Sequence, residues 1–335
     1  MTARPRIGVI PGDPAGIGPE LIAKLLAEPT TLERADVLLI GDRAVFELGQ
    51  GQSGHDYNLE PVADPKWTEW SELPAVPWFP METLSDDEMV LADVSEAGGR
   101  SSLRTLDQAL DFATAGIIDA VVFGPFNKAS MHLAGLGHED ELHYIAERLG
   151  VENYISELNT LDGIWTSRVT SHIPLKDVAE TITHERLIEA IKLADTTLQR
   201  AGYTRPRISV AALNPHAGDH GNFGREEIDI IQPAVAAAQR LQINVDGPWP
   251  SDTVFLKAKA REVDAIVTMY HDQGQIALKL MGFDRGVTVQ GGLPVPVSTP
   301  AHGTAFDIAG KGVADPGATL AAFDVACKMA TDWAR

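Results

Sequence analysis

The chain has 335 residues, 44% of them hydrophobic and 22% charged, with a formal net charge of -20. That length exceeds one ordinary core, so two domains or one large α/β unit are expected, and the composition is that of a globular rather than a disordered protein. The acidic balance, without any Lys/Arg cluster, excludes a nucleic-acid footprint and leaves an anionic substrate to be held by local cations, a metal or helix N-termini.

The N-terminal MTARPRIGVIPGD enters a strand pattern within five residues, which leaves no room for a signal peptide, and no apolar run is long enough for a membrane span. A cytoplasmic protein without membrane partners is expected. The runs RIGVI, ADVLLIG, AVVFG, WTSRVTS, RISVAAL, AIVTMY and GVTVQ read as strands. Amphipathic segments lie between several of them: GPELIAKLLAEP, HERLIEAIKLADTTLQRAG, REEIDIIQPAVAAAQRL and DTVFLKAKAREVD, with TLAAFDVACKMATDWA closing the chain. The alternation predicts an α/β fold with a largely parallel or mixed sheet and helices on both faces. Gln50 to Glu88, rich in Pro, Trp and acids, reads as long surface connections. The single cysteine, Cys327, lies in the apolar pattern DVACKMA and reads as a buried structural thiol.

In open α/β sheets ligands gather at the carboxyl ends of strands. Four stretches follow strand patterns with more polar residues than a turn needs: PGDPAGIGPE, TSHIPLKD, NPHAGDHGNFGREE and YHDQGQIALKL. The first lacks the G-x-G-x-x-G spacing of a dinucleotide fingerprint and reads equally well as a tight structural turn. The other three place His172, His216 and His271 at strand ends, where parallel strands could bring them together. Neutral imidazoles suit a divalent metal with an open position for a substrate oxygen, although a loop or core histidine is the commoner use of any one of them. Asp272 beside His271 and Lys279 eight residues on bring an acid and a cation into the same unit. A lysine in the apolar run QIALKLMGF points to a pocket, and a solvated helix position is its plainer reading. In HGTAFDIAGKGVADPG, glycines permit close backbone approach and Asp307 could accept hydrogen bonds from a ribose diol; a glycine-rich turn before the last helix fits the same pattern.

GDPAGIGPE, SHIPL, NPHAG with GNFGREE, YHDQG and HGTAFDIAGKG, in this order across nearly the whole chain, together resemble the 4-hydroxythreonine-4-phosphate dehydrogenase family. The last motif is also similar to the adenosine-binding loop of the isopropylmalate dehydrogenases. The resemblance implies a two-domain α/β/α sandwich of the isopropylmalate/isocitrate dehydrogenase-like type, with the active site in the interdomain cleft. Residues 1–125 plus 275–335 would bind cofactor, and 126–274 would carry metal, substrate and dimer contacts. It further implies a homodimer with shared active sites and NAD-dependent oxidation of a secondary alcohol β to a carboxylate, with decarboxylation. A divalent metal (Zn, Co, Mg or Mn) would be held by His172, His216 and His271, one of them shared across the dimer. Lys279 matches a substrate-contacting lysine and Asp272 is a candidate base. His302, Gly303, Asp307, Gly310 and Asp315 would contact the cofactor.

The chain departs from this family where phosphate is held. Aligned without gaps from Ala134, Asp140, Glu141, Leu142 and His143 stand at the family's G-H-T-E, while Thr288 replaces an asparagine and Val297 an arginine. A short gap would instead align Gly137, His138 and Glu139 with G-H-T. Two carboxylates beside a phosphate dianion repel it by roughly 4 kcal/mol per unit pair at about 4 Å in an intermediate dielectric. The expected substrate is therefore an unphosphorylated hydroxy acid, a sugar acid or a carboxylated cis-dihydrodiol such as terephthalate dihydrodiol, whose dehydrogenases belong to this family. Asp140, Glu141, Lys279, Thr288 and Val297 would line its site. 4-Hydroxythreonine 4-phosphate itself, a metal-dependent hydrolase or lyase without NAD, and a non-catalytic ligand sensor are the alternatives.

Overall fold

The computed structural model describes residues 4–333, which form two compact units, 153–292 and the remainder on either side of it. The sequence-based division at 125/126 and 274/275 and these compact units thus place 126–152 and 275–292 differently.

The first unit begins with β1 (Arg6–Ile10), α1 (Gly18–Ala27), α2 (Pro29–Arg34), β2 (Asp36–Gly41) and α3 (Arg43–Ser53). β3 (Leu59–Pro61), β4 (Val76–Pro80), α4 (Glu96–Thr114), β5 (Ala120–Phe123), α5 (Lys128–Leu133) and α6 (Glu141–Arg148) follow. The second unit contains β6 (Ser156–Leu161), β7 (Ile164–Arg168), α7 (Val178–Thr181), α8 (His184–Arg200), β8 (Ile208–Ala211) and α9 (Gln232–Arg240). It continues with β9 (Val245–Trp249), α10 (Ser251–Lys259), β10 (Ala265–Thr268), α11 (His271–Gly282) and β11 (Val287–Gly291). β12 (Val297–Pro300) and α12 (Gly317–Trp333) return to the first unit.

In the first unit the strand order is β3-β4-β2-β1-β5-β12, parallel throughout. Nearly every residue of β1, β2, β5 and β12 is buried, so both sheet faces are covered, the usual state of a parallel sheet. In the second unit the order is β11-β6-β7-β10-β8-β9; β11, β6 and β7 pair antiparallel and the rest parallel. Its core packs Leu161, Ile164, Ile266 and Leu278 against Val254 and Val263. The α/β class expected from the alternating pattern is the class observed.

The stretch Gln50 to Glu88 corrects the surface-connection reading, because it supplies β3 and β4 and buries Trp70 and Trp78. The Trp78 indole donates to Gly41 O at 2.8 Å, so these aromatics serve as core. The 19-residue α4 escapes periodicity reading because it starts in a Gly- and Ser-rich segment. Its Ser95 cap, which accepts from Gly98 N at 3.1 Å, supplies the start signal. Cys327 is buried and unpaired, and burial pushes its thiol up to about 12. No helix among the described residues is long and apolar enough to cross a membrane.

Candidate functional site

In the first unit, residues 301–316 form a run of turns ahead of α12. PGDPAGIGPE is its brace. Ile17 N donates to Thr304 O at 3.1 Å, and a Cβ on Gly16 would lie 2.8 Å from Thr304 Cβ, so only glycine admits this approach. Ile17 and Leu21 pack with Ala305, Ile308 and Ala309. At the far end the wholly buried Glu20 accepts from Ala314 N at 2.7 Å, and Lys24 Nζ reaches Glu20 at 2.7 Å, Gly312 O at 3.0 Å and Ala314 O at 2.7 Å. Gly303, Asp307, Gly310 and Asp315 are exposed on this braced loop, and His302 is half-buried. Asp315 Oδ1 accepts from Gly317 N at 2.8 Å and so helps start α12. Glu20 and Lys24, quoted within the amphipathic pattern of α1, were not singled out from sequence; the tertiary contact with Ala314 reveals them.

Asp140 and Glu141, also in the first unit, open α6 and are both buried. Asp140 is the N-cap, its Oδ1 accepting from His143 N at 3.0 Å and lying 2.6 Å from His143 Nδ1. Lys128 Nζ stands 4.0 Å from Glu141 Oε2. A helix N-terminus that would attract an outside anion is thus already occupied by an internal carboxylate. His138 is turned to Glu147 and the Tyr144 ring. Val297 is wholly buried, paired with Val121 of β5.

The second unit carries the histidines. His172 follows β7 and His271 opens α11 after β10; these strands are parallel neighbours, and the two rings stand 5.7 Å apart between centroids. They face a cavity of about 250 Å³ whose walls include Thr170, Ser171, Tyr270 and Asp272. Asp272 Oδ1 lies 2.7 Å from His271 Nδ1, so Nε2 is the ring nitrogen that could meet a metal. The donor set fits a divalent metal of the imidazole-binding kind. The His216 ring lies 6.2 Å from the Phe223 ring, and the ligand atoms of the three histidines do not all fall within 4.8 Å of one another. Lys279 is exposed two turns along α11 from His271. Thr288 is buried on β11, its hydroxyl accepting from Asn159 Nδ2 at 2.9 Å.

His216 begins five successive residues of left-handed backbone, with φ between 42° and 79°. Four of them are not glycine, at roughly 1–2 kcal/mol each. Glu227, also wholly buried, offsets this strain: it accepts from Leu213 N at 2.8 Å, Asn214 N at 2.7 Å and Asn214 Nδ2 at 2.9 Å. Glu227 was quoted within GNFGREE without a role; it lies among Arg225, Glu226 and Asp229, and nothing in the sequence sets it apart.

A family profile described as "Pyridoxal phosphate biosynthetic protein PdxA" matches residues 33–326. The chain is 53% identical over 329 residues to a protein of Pseudomonas aeruginosa named "Putative 4-hydroxythreonine-4-phosphate dehydrogenase 2", covering 97% of each. Among solved structures, the 4-hydroxythreonine-4-phosphate dehydrogenase of Klebsiella pneumoniae superposes with a TM-score of 0.85 at 34% identity, covering 99% of this chain and all of that one. A terephthalate 1,2-cis-dihydrodiol dehydrogenase of Burkholderia xenovorans does so at 0.66 and 28%, covering 95% of this chain and 96% of the other. The fold and these matches define an oxidoreductase that acts on a CH–OH group. The chain belongs to the PdxA family of dehydrogenases.

Proposed function

We propose that the protein is an NAD- and divalent-metal-dependent dehydrogenase that oxidises a secondary alcohol of an unphosphorylated hydroxy acid, with decarboxylation, in the cytoplasm. A sugar acid or a carboxylated cis-dihydrodiol such as terephthalate dihydrodiol is the substrate class, and the working form is a homodimer. The observation that carries the substrate reading is the buried Asp140 carboxylate on the N-terminus of α6, which supplies the hydrogen-bond acceptor a phosphate would otherwise provide there.

A bound metal would supply polarisation of the substrate oxygens, and NAD would supply the hydride acceptor. His172, His216 and His271 are the metal ligands, one of them shared across the dimer; the 5.7 Å between the His172 and His271 ring centroids supports this reading. Asp272 holds His271 in one tautomer through the 2.7 Å contact and is the candidate base. Lys279 offers a cation to the substrate carboxylate, and Thr288 a hydroxyl to its oxygens. On the first unit, Asp307 would accept from the ribose diol while His302, Gly303, Gly310 and Asp315 line the loop. Residues 1–125 plus 275–335 would act as the cofactor part, and 126–274 as the metal, substrate and dimer part.

Steady-state kinetics test this reading. NADH should form from an unphosphorylated hydroxy acid and poorly from 4-hydroxythreonine 4-phosphate; an ordinary kcat/KM of about 10⁴ M⁻¹s⁻¹ or more on the phosphate ester would sink the unphosphorylated class. Calorimetry with metal present separates the dehydrogenase from a hydrolase or lyase, which would show no NAD affinity.

A further inference from the structure

WTSRVTS places an arginine in the interior of a strand pattern, and the structure buries it: Arg168, the last residue of β7, is 4% exposed. A buried guanidinium needs all of its donors engaged. Arg168 Nη2 pairs with Glu157, Nη1 donates to Asn159 Oδ1 at 2.9 Å, and Nε donates to Ser171 Oγ at 3.0 Å. Glu157 and Asn159 are alternate residues of β6, so they share the sheet face on which Arg168 lies, and antiparallel pairing sets Thr288 of β11 opposite Asn159.

Two of these contacts lead to the candidate site. Ser171 immediately precedes His172, whose backbone is itself left-handed at φ 31°. Asn159 Oδ1 also accepts from Gln275 Nε2 at 2.5 Å. Gln275 lies on α11 one turn after His271 and one before Lys279. Because a guanidinium only donates, Arg168 fixes which end of the Asn159 amide is the carbonyl. The Nδ2 end therefore donates to Thr288 Oγ1, and the Thr288 hydroxyl hydrogen is left to a different acceptor.

We propose that the buried Arg168–Asn159 pair is the positioning device of this site, setting His172 through Ser171 and the helix bearing His271 and Lys279 through Gln275. In this reading both residues act through the side chains they hold. The proposal rests on the metal reading above, and its test keeps the two apart.

The metal-free full chain is titrated with Co²⁺, followed by visible absorption and calorimetry. Removing both buried charges in Glu157→Leu/Arg168→Met, so that neither is stranded, should weaken Co²⁺ binding 10- to 100-fold, the typical effect of losing an outer partner of a ligand. Ser171→Ala and Gln275→Leu, which leave the ion pair intact, should each weaken it by less. Arg168→Lys should not rescue, since an ammonium keeps the charge toward Glu157 without the planar fork that reaches Asn159 and Ser171. Co²⁺ binding within twofold of wild type in the folded double variant overturns the proposal, even if its thermal midpoint falls. If that variant does not fold, unchanged binding in both Ser171→Ala and Gln275→Leu overturns it. A wild-type chain whose Co²⁺ binding is absent, or is unaffected by His172→Ala and His271→Ala, shows instead that the metal reading has failed, and the proposal falls with it.

Discussion

The glycine-rich loop of the first unit and the histidine turns of the second both rest on buried charged side chains, and differ in what is added: close backbone approach at glycine in the first, contacts between side chains in the second. Residues 301–316 are fixed by the Glu20 and Lys24 side chains reaching main-chain groups around Gly312 and Ala314, by Ile17 N to Thr304 O, and by close approach at glycine. The turns of His172 and His216 are held by buried side chains, Arg168 with Asn159 for one and Glu227 with Asn214 for the other. Contacts of the first kind leave a composition signature of glycines in a short stretch. Those of the second kind use single polar residues, each unremarkable in sequence, whose meaning depends on what lies across the sheet or turn.

Three substitutions can break or sharpen that contrast. Glu227→Ala should have the largest effect, because it strands two backbone donors under a strained turn, at roughly 1–3 kcal/mol per unsatisfied donor. A loss of about 3 kcal/mol or more in urea unfolding is expected, with faster hydrogen exchange at 213–220; unchanged unfolding would mean that the His216 turn does not depend on this carboxylate. Gly312→Ala comes next. Its backbone is left-handed at φ 73° and a Cβ would lie 2.6 Å from Gln52 O, so a loss of about 1–2 kcal/mol is expected, with weaker NAD binding in calorimetry. Equal stability and NAD affinity would show that the loop does not rely on close backbone approach.

The smallest effect should come from Asp13→Asn in the PGDPAGIGPE turn. Burial holds the Asp13 carboxyl above its usual value of 3.8, with the Ala15 N–H at 2.9 Å pulling it partly back. A raised carboxyl binds its proton more tightly in the folded state, so its stabilising contribution is full below about pH 3.8 and is lost as pH rises through the folded value. An amide keeps the acceptor for Ala15 without the ionisation. The substitution should therefore gain on wild type in thermal melts as pH rises above 3.8, and a difference flat with pH would show that Asp13 is not the titrating group.

Much of the frame was legible before any coordinates. RIGVI is β1 residue for residue, the strand patterns around ADVLLIG, AVVFG, RISVAAL and AIVTMY all contain strands, and HERLIEAIKLADTTLQRAG contains α8. His172 and His271 were suspected because they follow β-rich runs, and parallel pairing of β7 with β10 does bring their rings together. β3 and β4 were not legible, since Pro and Trp in VPWFP argue for a connection until a neighbouring strand covers them.

By itself, then, the sequence determined the α/β class, the order of its main strands and the positions of the histidines and the glycine loop, because period, strand ends and turn chemistry are local properties of the chain. Only the tertiary structure decided that Glu227 holds the His216 turn, and that Arg168, Asn159, Gln275 and Thr288 meet. Those contacts join residues as far as 129 positions apart, as in Asn159 with Thr288. Strand register and helix packing choose among their possible partners, and neither is written in the neighbourhood of any one residue.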